Sequence, residues 1–221
     1  MTLYEPLKVT AKLRGAVSMP NDPIALDALL GAAVCQRDDI APALTAAACV
    51  PLKLPVQRSP CGRFNLASVA HYEVESHENH WINRRFPIDV AQAVGEPELR
   101  RVRIGAGPSK SYRLPLDTTH LRNDLVTWWC MGEPIEIADL LSLISYLGKK
   151  RSVGIGHVAQ WNVERVEPWP GFPVLRDGVP LRSLPADYPG VLPDAEQAYK
   201  TIEPPYWDRT REVLCVVPGR N

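Results

Sequence analysis

The stretch Leu147-Gly148-Lys149-Lys150-Arg151-Ser152-Val153-Gly154-Ile155-Gly156-His157-Val158 constrains the fold more than any other part of the chain. It stands between two patterns of different period. Before it, Ile135, Ala138, Leu140, Leu141, Leu143, Ile144 and Leu147 recur at helical spacing. After it, Val158-Ala159-Gln160-Trp161-Asn162-Val163-Glu164-Arg165-Val166 alternates as a half-buried strand does. The chain order is therefore helix, glycine-rich loop, strand. A nucleotide-binding P-loop has the opposite order and turns a helix N-terminus toward phosphate. Here the loop is expected to leave a helix C-terminus, whose dipole disfavours an anion. Lys149, Lys150 and Arg151, helped by loop amides, must then attract the ligand, and Gly148, Gly154 and Gly156 let it approach the backbone. No Gly-Lys-Ser/Thr ending is present to place magnesium. The loop reads as a contact for an RNA backbone, not as an ATP site.

The rest of the chain brackets that loop with mixed elements. Leu7, Val9, Ala11 and Leu13 alternate with polar residues and predict a strand over 7–14. Asp22 is a candidate N-cap and Pro23 a candidate first helical residue. Ile24, Leu26, Leu29, Leu30 and Val34 carry the helix to about 36–38. Ala46–Val56 and Leu66–Val74 are strand candidates, as are Tyr112–Leu116 and Leu125–Cys130. Residues 77–110 are basic and poor in bulky aliphatics, and read as an insertion, a hairpin or a short helix, that leaves the core. The core order is then strand, helix, strands, helix, strand. This is an α+β class with a ferredoxin-like, RRM-like βαββαβ core and a mid-chain insertion. From Pro168 a proline-rich C-terminal extension follows, with a hairpin turn at Arg176-Asp177-Gly178 and a last strand over 212–217. We expect one domain over 1–167 and an extension over 168–221 packed on it.

Composition excludes several classes. With 25 basic and 25 acidic residues the formal charge is zero, which argues against a protein that coats nucleic acid indiscriminately. Local basic runs remain at Arg84-Arg85, Arg100-Arg101-x-Arg103 and Lys149-Lys150-Arg151. Each also has a plainer reading as a solvated face. The cysteines, Cys35, Cys49, Cys61, Cys130 and Cys215, form no C-x-x-C pair, so a zinc ribbon is not expected. Their odd number and apolar neighbours predict buried free thiols in a reducing cytoplasm. No secretory signal and no apolar run of membrane-spanning length is read.

At these residues the chain resembles the RAMP superfamily of CRISPR-associated proteins. Leu26-Asp27-Ala28-Leu29-Leu30 is similar to the Leu-Asp-x-Leu-Leu helix of type IV CRISPR subunits. Val126-Thr127-Trp128-Trp129-Cys130-Met131-Gly132-Glu133 precedes the second helix, and Leu147–Val158 is similar to the glycine-rich loop of RAMP proteins. The resemblance spans roughly 7–167. It implies the type IV subunit that holds the five-prime handle of CRISPR RNA and caps the complex. It implies a non-catalytic scaffold without metal or cofactor. Its partners would be CRISPR RNA, the backbone and large subunits, and target DNA through the complex. A thumb insertion would map to 77–110, with Arg84, Arg85, Arg100, Arg101 and Arg103 as RNA contacts; apart from the resemblance, single-stranded RNA is held by cationic grooves and aromatic stacking, and Trp81 is the candidate for stacking. In the loop, Gly148, Lys149, Lys150, Arg151, Ser152, Gly154, Gly156 and His157 would hold RNA.

Three readings compete residue by residue. A metal-independent endoribonuclease needs a base near the 2′-hydroxyl and a stabiliser for the phosphorane. His71, Tyr72, His77, His80, His120 and His157 are available, and Lys150 with His157 is the nearest pair in sequence. A satisfied structural histidine is the plainer role for His157, as core burial is for Trp81. A helical His77-x-x-His80 pair would lack further ligands for a metal. A pure protein-interaction module fits the neutral charge but not three adjacent cations on flexible backbone. Adjacent Trp128 and Trp129 must face opposite sides of a strand, one into the core and one toward a subunit interface or a base. Asp27 reads as stabilising the helix N-terminus, not as catalytic.

Overall fold

The structure is a computed structural model and describes residues 3–41, 52–84 and 111–219. The chain is mixed α/β, with mostly antiparallel sheets and few helices. Strand β1 (Glu5–Leu13) lies at the centre of a three-stranded antiparallel sheet, between β4 (Leu125–Gly132) and β5 (Val158–Arg165). Its alternation sends Leu7, Val9, Ala11 and Leu13 into the core, all at most 2% exposed. The same face of β4 supplies Val126, Trp128 and Cys130. Helix α1 (Leu26–Arg37) closes this core with Leu26, Leu30, Ala33 and Val34, and α2 (Pro134–Ser142) with Ile137, Leu140 and Leu141. The outer edge of β4 is met by intermittent antiparallel bridges, Ala67 to Cys130 and His71 to Thr127.

Both helices depart from expectation at their ends. The first begins at Leu26, with Ala25 in the cap position and no side-chain cap. Asp22 and Pro23 stand outside it. The cause is the neighbouring chain: Ala70 N–H and Trp128 Nε1 both donate to Ile24 C=O, and Leu26 N–H donates to Ser68 C=O. Those bonds hold the chain extended up to Ala25. The second helix starts as its residues dictate, with Pro134 in the first turn and the Glu133 carboxylate accepting from the amides of Ile135 and Glu136. It ends at Ser142, not Leu147. Ile144 and Leu147 are buried as their spacing suggests, but from chain beyond the helix end, where Trp161 Nε1 donates to Ile144 C=O at 2.9 Å.

The first part of the stretch read as an insertion, 77–84, pairs with the Tyr112–Leu116 strand candidate in one long hairpin, the first of the two forms expected for it. Strands β2 (Val74–Arg84) and β3 (Tyr112–Leu121) pair antiparallel from Val74 opposite Leu121 to Arg84 opposite Tyr112. Leu66–Val74 is correspondingly not one strand: it supplies the bridges beside β4 and then turns into β2. Of the Ala46–Val56 candidate, 46–51 lie outside the described residues, and Val56 bridges Gly132.

After β5 the chain makes the short hairpin β6 (Leu175–Arg176) and β7 (Val179–Pro180). Its turn residues Asp177 and Gly178 have φ of 51° and 80°, the left-handed pair that a tight two-residue hairpin requires. Strands β8 (Leu184–Pro185), β9 (Gln197–Lys200) and β10 (Val213–Val216) form a second sheet in the order β8-β10-β9. They surround a smaller core of Phe64, Val174, Leu184, Ile202 and Cys215.

Candidate functional site

The glycine-rich stretch is a closed loop with a braced neck. Tyr146 and His157 form an antiparallel bridge, and Leu147 N–H donates to Gly156 C=O at 2.8 Å. The loop therefore leaves extended chain, not a helix end, and the expected unfavourable dipole is absent. A second segment grips it from the side. Lys149 N–H donates to Ser18 C=O at 2.7 Å, Gly156 N–H to Ala16 C=O at 3.0 Å, and Arg14 N–H to His157 C=O at 2.8 Å. Two glycines make that grip sterically feasible. At Gly148 (φ 78°) a Cβ would lie 2.4 Å from Ser18 O, and at Gly156 (φ 75°) one would lie 2.1 Å from Leu147 O. Gly154 (φ 85°) meets nothing within 4 Å, so it serves the turn itself. Lys150 also has positive φ, 58°, uncommon for a residue with a side chain.

On this frame Lys149, Lys150, Arg151 and Ser152 are exposed. No carboxylate among the described residues pairs with Lys149, Lys150 or Arg151. Most other described lysines and arginines do find one, as in Lys8–Glu164, Lys12–Asp124, Arg165–Glu5 and Lys200–Asp22. His157 is half-buried, packs edge-on against Tyr146 at 5.1 Å, and has a buried Nδ1 without a hydrogen-bond partner. No hydrogen bond joins it to Lys150.

The bracing segment also reaches the long hairpin. Val17 and Thr119 exchange both backbone hydrogen bonds, at 3.0 and 2.8 Å. The loop and the hairpin base therefore share one support, Arg14–Ser18. Arg14 is exposed, pairs with no carboxylate among the described residues, and is followed by Gly15 at φ 80°. Sequence reasoning missed it, although a cation beside a glycine is the signature that singled out the loop.

The hairpin's arms are exposed over most of their length. Trp81 is 52% exposed, so core burial inside the insertion is ruled out. The Arg113 guanidinium lies 4.2 Å from its ring centroid. Arg84 ends β2, and Arg85, Arg100, Arg101 and Arg103 lie outside the described residues. His77 and His80 are on a strand, not a helix, and spacing of three sends them to opposite faces. His77 Nδ1 meets Thr119 Oγ1 at 3.3 Å. On the other face, Glu78 Oε2 lies 3.0 Å from His80 Nε2 and 3.3 Å from His120 Nε2. Hydrogen bonds from His120 and then His80 hold the Glu78 carboxyl below its usual range. Among the described residues no group of three or more His, Cys, Asp or Glu is arranged to hold a metal.

The two tryptophans of β4 divide as the strand requires. Trp128 is fully buried. Trp129 faces the other side, where His71 and Trp169 pack on it at 5.1 and 5.8 Å, so the chain itself covers it. Burial pushes the His71 imidazole down, partly offset by the Leu181 carbonyl. The thiols also divide: Cys130 and Cys215 are buried, Cys35 is intermediate, and Cys61 is exposed, against the expectation of burial. Cys49 lies outside the described residues.

Asp27 is structural, and by more than a helix dipole. It is 0% exposed, accepts from Tyr206 Oη at 2.7 and 2.8 Å and from Asn65 Nδ2 at 2.9 Å, and faces Arg182 at 3.7 Å. Burial works against the charge of Arg182, yet Tyr206 and Asp27 raise its pKa above the ordinary value.

Comparison with known families decides what carries this geometry. The family of CRISPR type IV associated protein Csf3 matches residues 89–218, more than half of the chain. The chain belongs to that family. It is thus a type IV CRISPR-associated protein and a component of the type IV complex. The matched span contains the double-tryptophan strand, the glycine-rich loop and the tail, but not β1 or α1. No curated protein matches the chain. No helix among the described residues of this Csf3-family chain is long and apolar enough to cross a membrane.

Proposed function

We propose that this Csf3-family chain is a non-catalytic RNA-binding subunit that holds the five-prime handle of CRISPR RNA and caps the complex from the cytoplasm. The observation that carries the reading is the set of exposed cations Lys149, Lys150 and Arg151, with which no described carboxylate pairs, on a loop whose neck is fixed by five backbone hydrogen bonds or bridges. A loop backbone already held in place loses little freedom when phosphate binds, and phosphate contacts position a strand without reading its sequence. The sheet order β4-β1-β5, with the 67–71 segment bridging the outer edge of β4, is what a ferredoxin-like core would give. Its loop and projecting hairpin stand on the shared Arg14–Ser18 support. RNA held by the loop therefore passes near the hairpin base, and the exposed Trp81–Arg113 stack offers a face for an unstacked base. Arg84, Arg85, Arg100, Arg101 and Arg103 would follow the backbone from the insertion, and target DNA would be met through the assembled complex.

The test is replacement of Lys149, Lys150 and Arg151 by alanine, measured as guide-RNA retention against salt in the co-purified complex. Each lost phosphate contact on a single strand removes about 0.7 from the slope of log K against log salt, so the slope should flatten by about 2. Subunit assembly should persist. An unchanged slope would refute the loop assignment. A second reading, metal-independent RNA cleavage, rests on Glu78 between His80 and His120. Repeat RNA cut by the isolated chain in EDTA, and left intact by His120→Ala, would establish it instead.

A further inference from the structure

Among the described residues the outer edge of β5 is an unpaired strand edge set in a groove. β5 ends the sheet order β4-β1-β5, and no described strand pairs with its far side. Val166 N–H donates to Pro6 C=O at 3.0 Å, in the register that also sets Glu164 opposite Lys8 and Asn162 opposite Thr10. Antiparallel alternation then turns the backbone groups of Asn162 and Glu164 toward β1 and those of Trp161, Val163 and Arg165 outward. Exposed edges are commonly blunted by proline, lysine or a covering segment. From Gln160 to Arg165 this edge has no proline and no lysine. Beside it runs a groove of about 600 Å³ between β5 and α2. Ile135 on the groove wall is 71% exposed, although it opens an otherwise amphipathic helix. Ala138 continues that apolar wall. Asp139 is the one ionisable residue lining the groove, and no cation among the described residues pairs with it.

We propose that this edge accepts an extended segment of a neighbouring protein subunit, which pairs with Trp161, Val163 and Arg165 and extends the sheet by one strand. The occupant is specified by what it meets. Its backbone must supply alternating donors and acceptors. Its side chains on the α2 side must be apolar at every second position to cover Ile135 and Ala138, with one lysine or arginine opposite Asp139. RNA fits poorly, because the groove offers a carboxylate and no cation. The inference rests on membership of a multisubunit complex and not on the RNA reading of the loop.

Hydrogen–deuterium exchange at single-residue resolution tests it, on the full chain alone at two concentrations, assembled with the other protein subunits of its complex, and assembled with RNA. In the chain alone, Trp161 and Val163 amides should exchange faster than those of Asn162 and Glu164. Assembly with protein subunits should slow both by at least about tenfold. The surface variants Ile135→Asp and Asp139→Lys should each lower incorporation into the complex by roughly tenfold while the isolated chain stays folded. Unchanged amides in the assembled complex would overturn the proposal. So would protection that grows with concentration of the chain alone, which marks a second copy on the edge, or protection that needs RNA. The alanine triple variant of the loop leaves these amides unaffected, so failure here and failure of the loop assignment are distinguishable.

Discussion

Arg182→Met should be among the most destabilising single substitutions in the described chain. The Arg182 and Asp27 side chains are 3% and 0% exposed, and their charges lie 3.7 Å apart. At an effective dielectric near 20, that separation is worth about 4 kcal/mol of attraction. Arg182 also donates to the carbonyls of Asn65, Ala67 and Ile202 and to Tyr206 Oη, so its guanidinium joins the segment beside β4 to the C-terminal tail. Methionine fills similar volume but leaves the buried Asp27 carboxylate without its countercharge and removes the guanidinium donor from the carbonyls of Ala67 and Ile202. Loss of one member of a buried pair costs about 3–5 kcal/mol. For a chain of this length that lowers the melting temperature by roughly 6–20 °C. Asp27→Asn removes the other charge and should also destabilise. The double variant should cost at least about 1 kcal/mol less than the sum of the two, because neither charge is then left alone. Thermal and urea unfolding of the four purified chains measure this directly. Single-variant costs below about 1 kcal/mol that simply add would refute the reasoning, since they would mean the pair is solvated or replaceable.

Two further outcomes follow from the geometry. His71 has a depressed pKa in the folded chain because it is buried against Trp129, so its stabilising contribution is complete above its unfolded pKa of about 6.5 and is lost as pH falls below it; unfolding at pH 7.5 and 5.5 should show a difference that His71→Phe reduces. Gly154→Ala should cost about 1 kcal/mol, the backbone penalty alone, whereas Gly156→Ala adds a collision with Leu147 O and should cost clearly more, as the two midpoints of urea unfolding will show.

What the sequence disclosed, and what it hid, follows from how local each signal is. β1 was legible because one face is core and one is not, so its period of two is clean. The Asp177-Gly178 turn was legible because only a few residue types take positive φ without strain. The long hairpin was legible only as one of two forms for 77–110, without its register. Most of β2 is exposed, so no burial period marks it, and its partner lies beyond an insertion. The second helix was overextended because Ile144 and Leu147 are buried, and burial spacing does not say whether helix or extended chain delivers them. Asp27 was visible as an oddity in an apolar helix, but its partners Asn65, Arg182 and Tyr206 are scattered along the chain and carry no pattern.

The glycine-rich loop shows the same division within a single site. Its cations and glycines were readable from the chain, while the reason for two of those glycines was not. Gly148 and Gly156 are required by the backbone of Ser18 and Leu147, and Ser18 belongs to a segment far away in sequence. That segment also bonds Thr119 at the hairpin base. The loop is therefore not an independent flexible arm. A side chain added at Gly148 displaces Ser18, which displaces Val17, which is bonded to the hairpin. Substitutions at the two braced glycines should disturb the hairpin as well as the loop, while one at Gly154, where a Cβ would meet nothing within 4 Å, should disturb the loop alone.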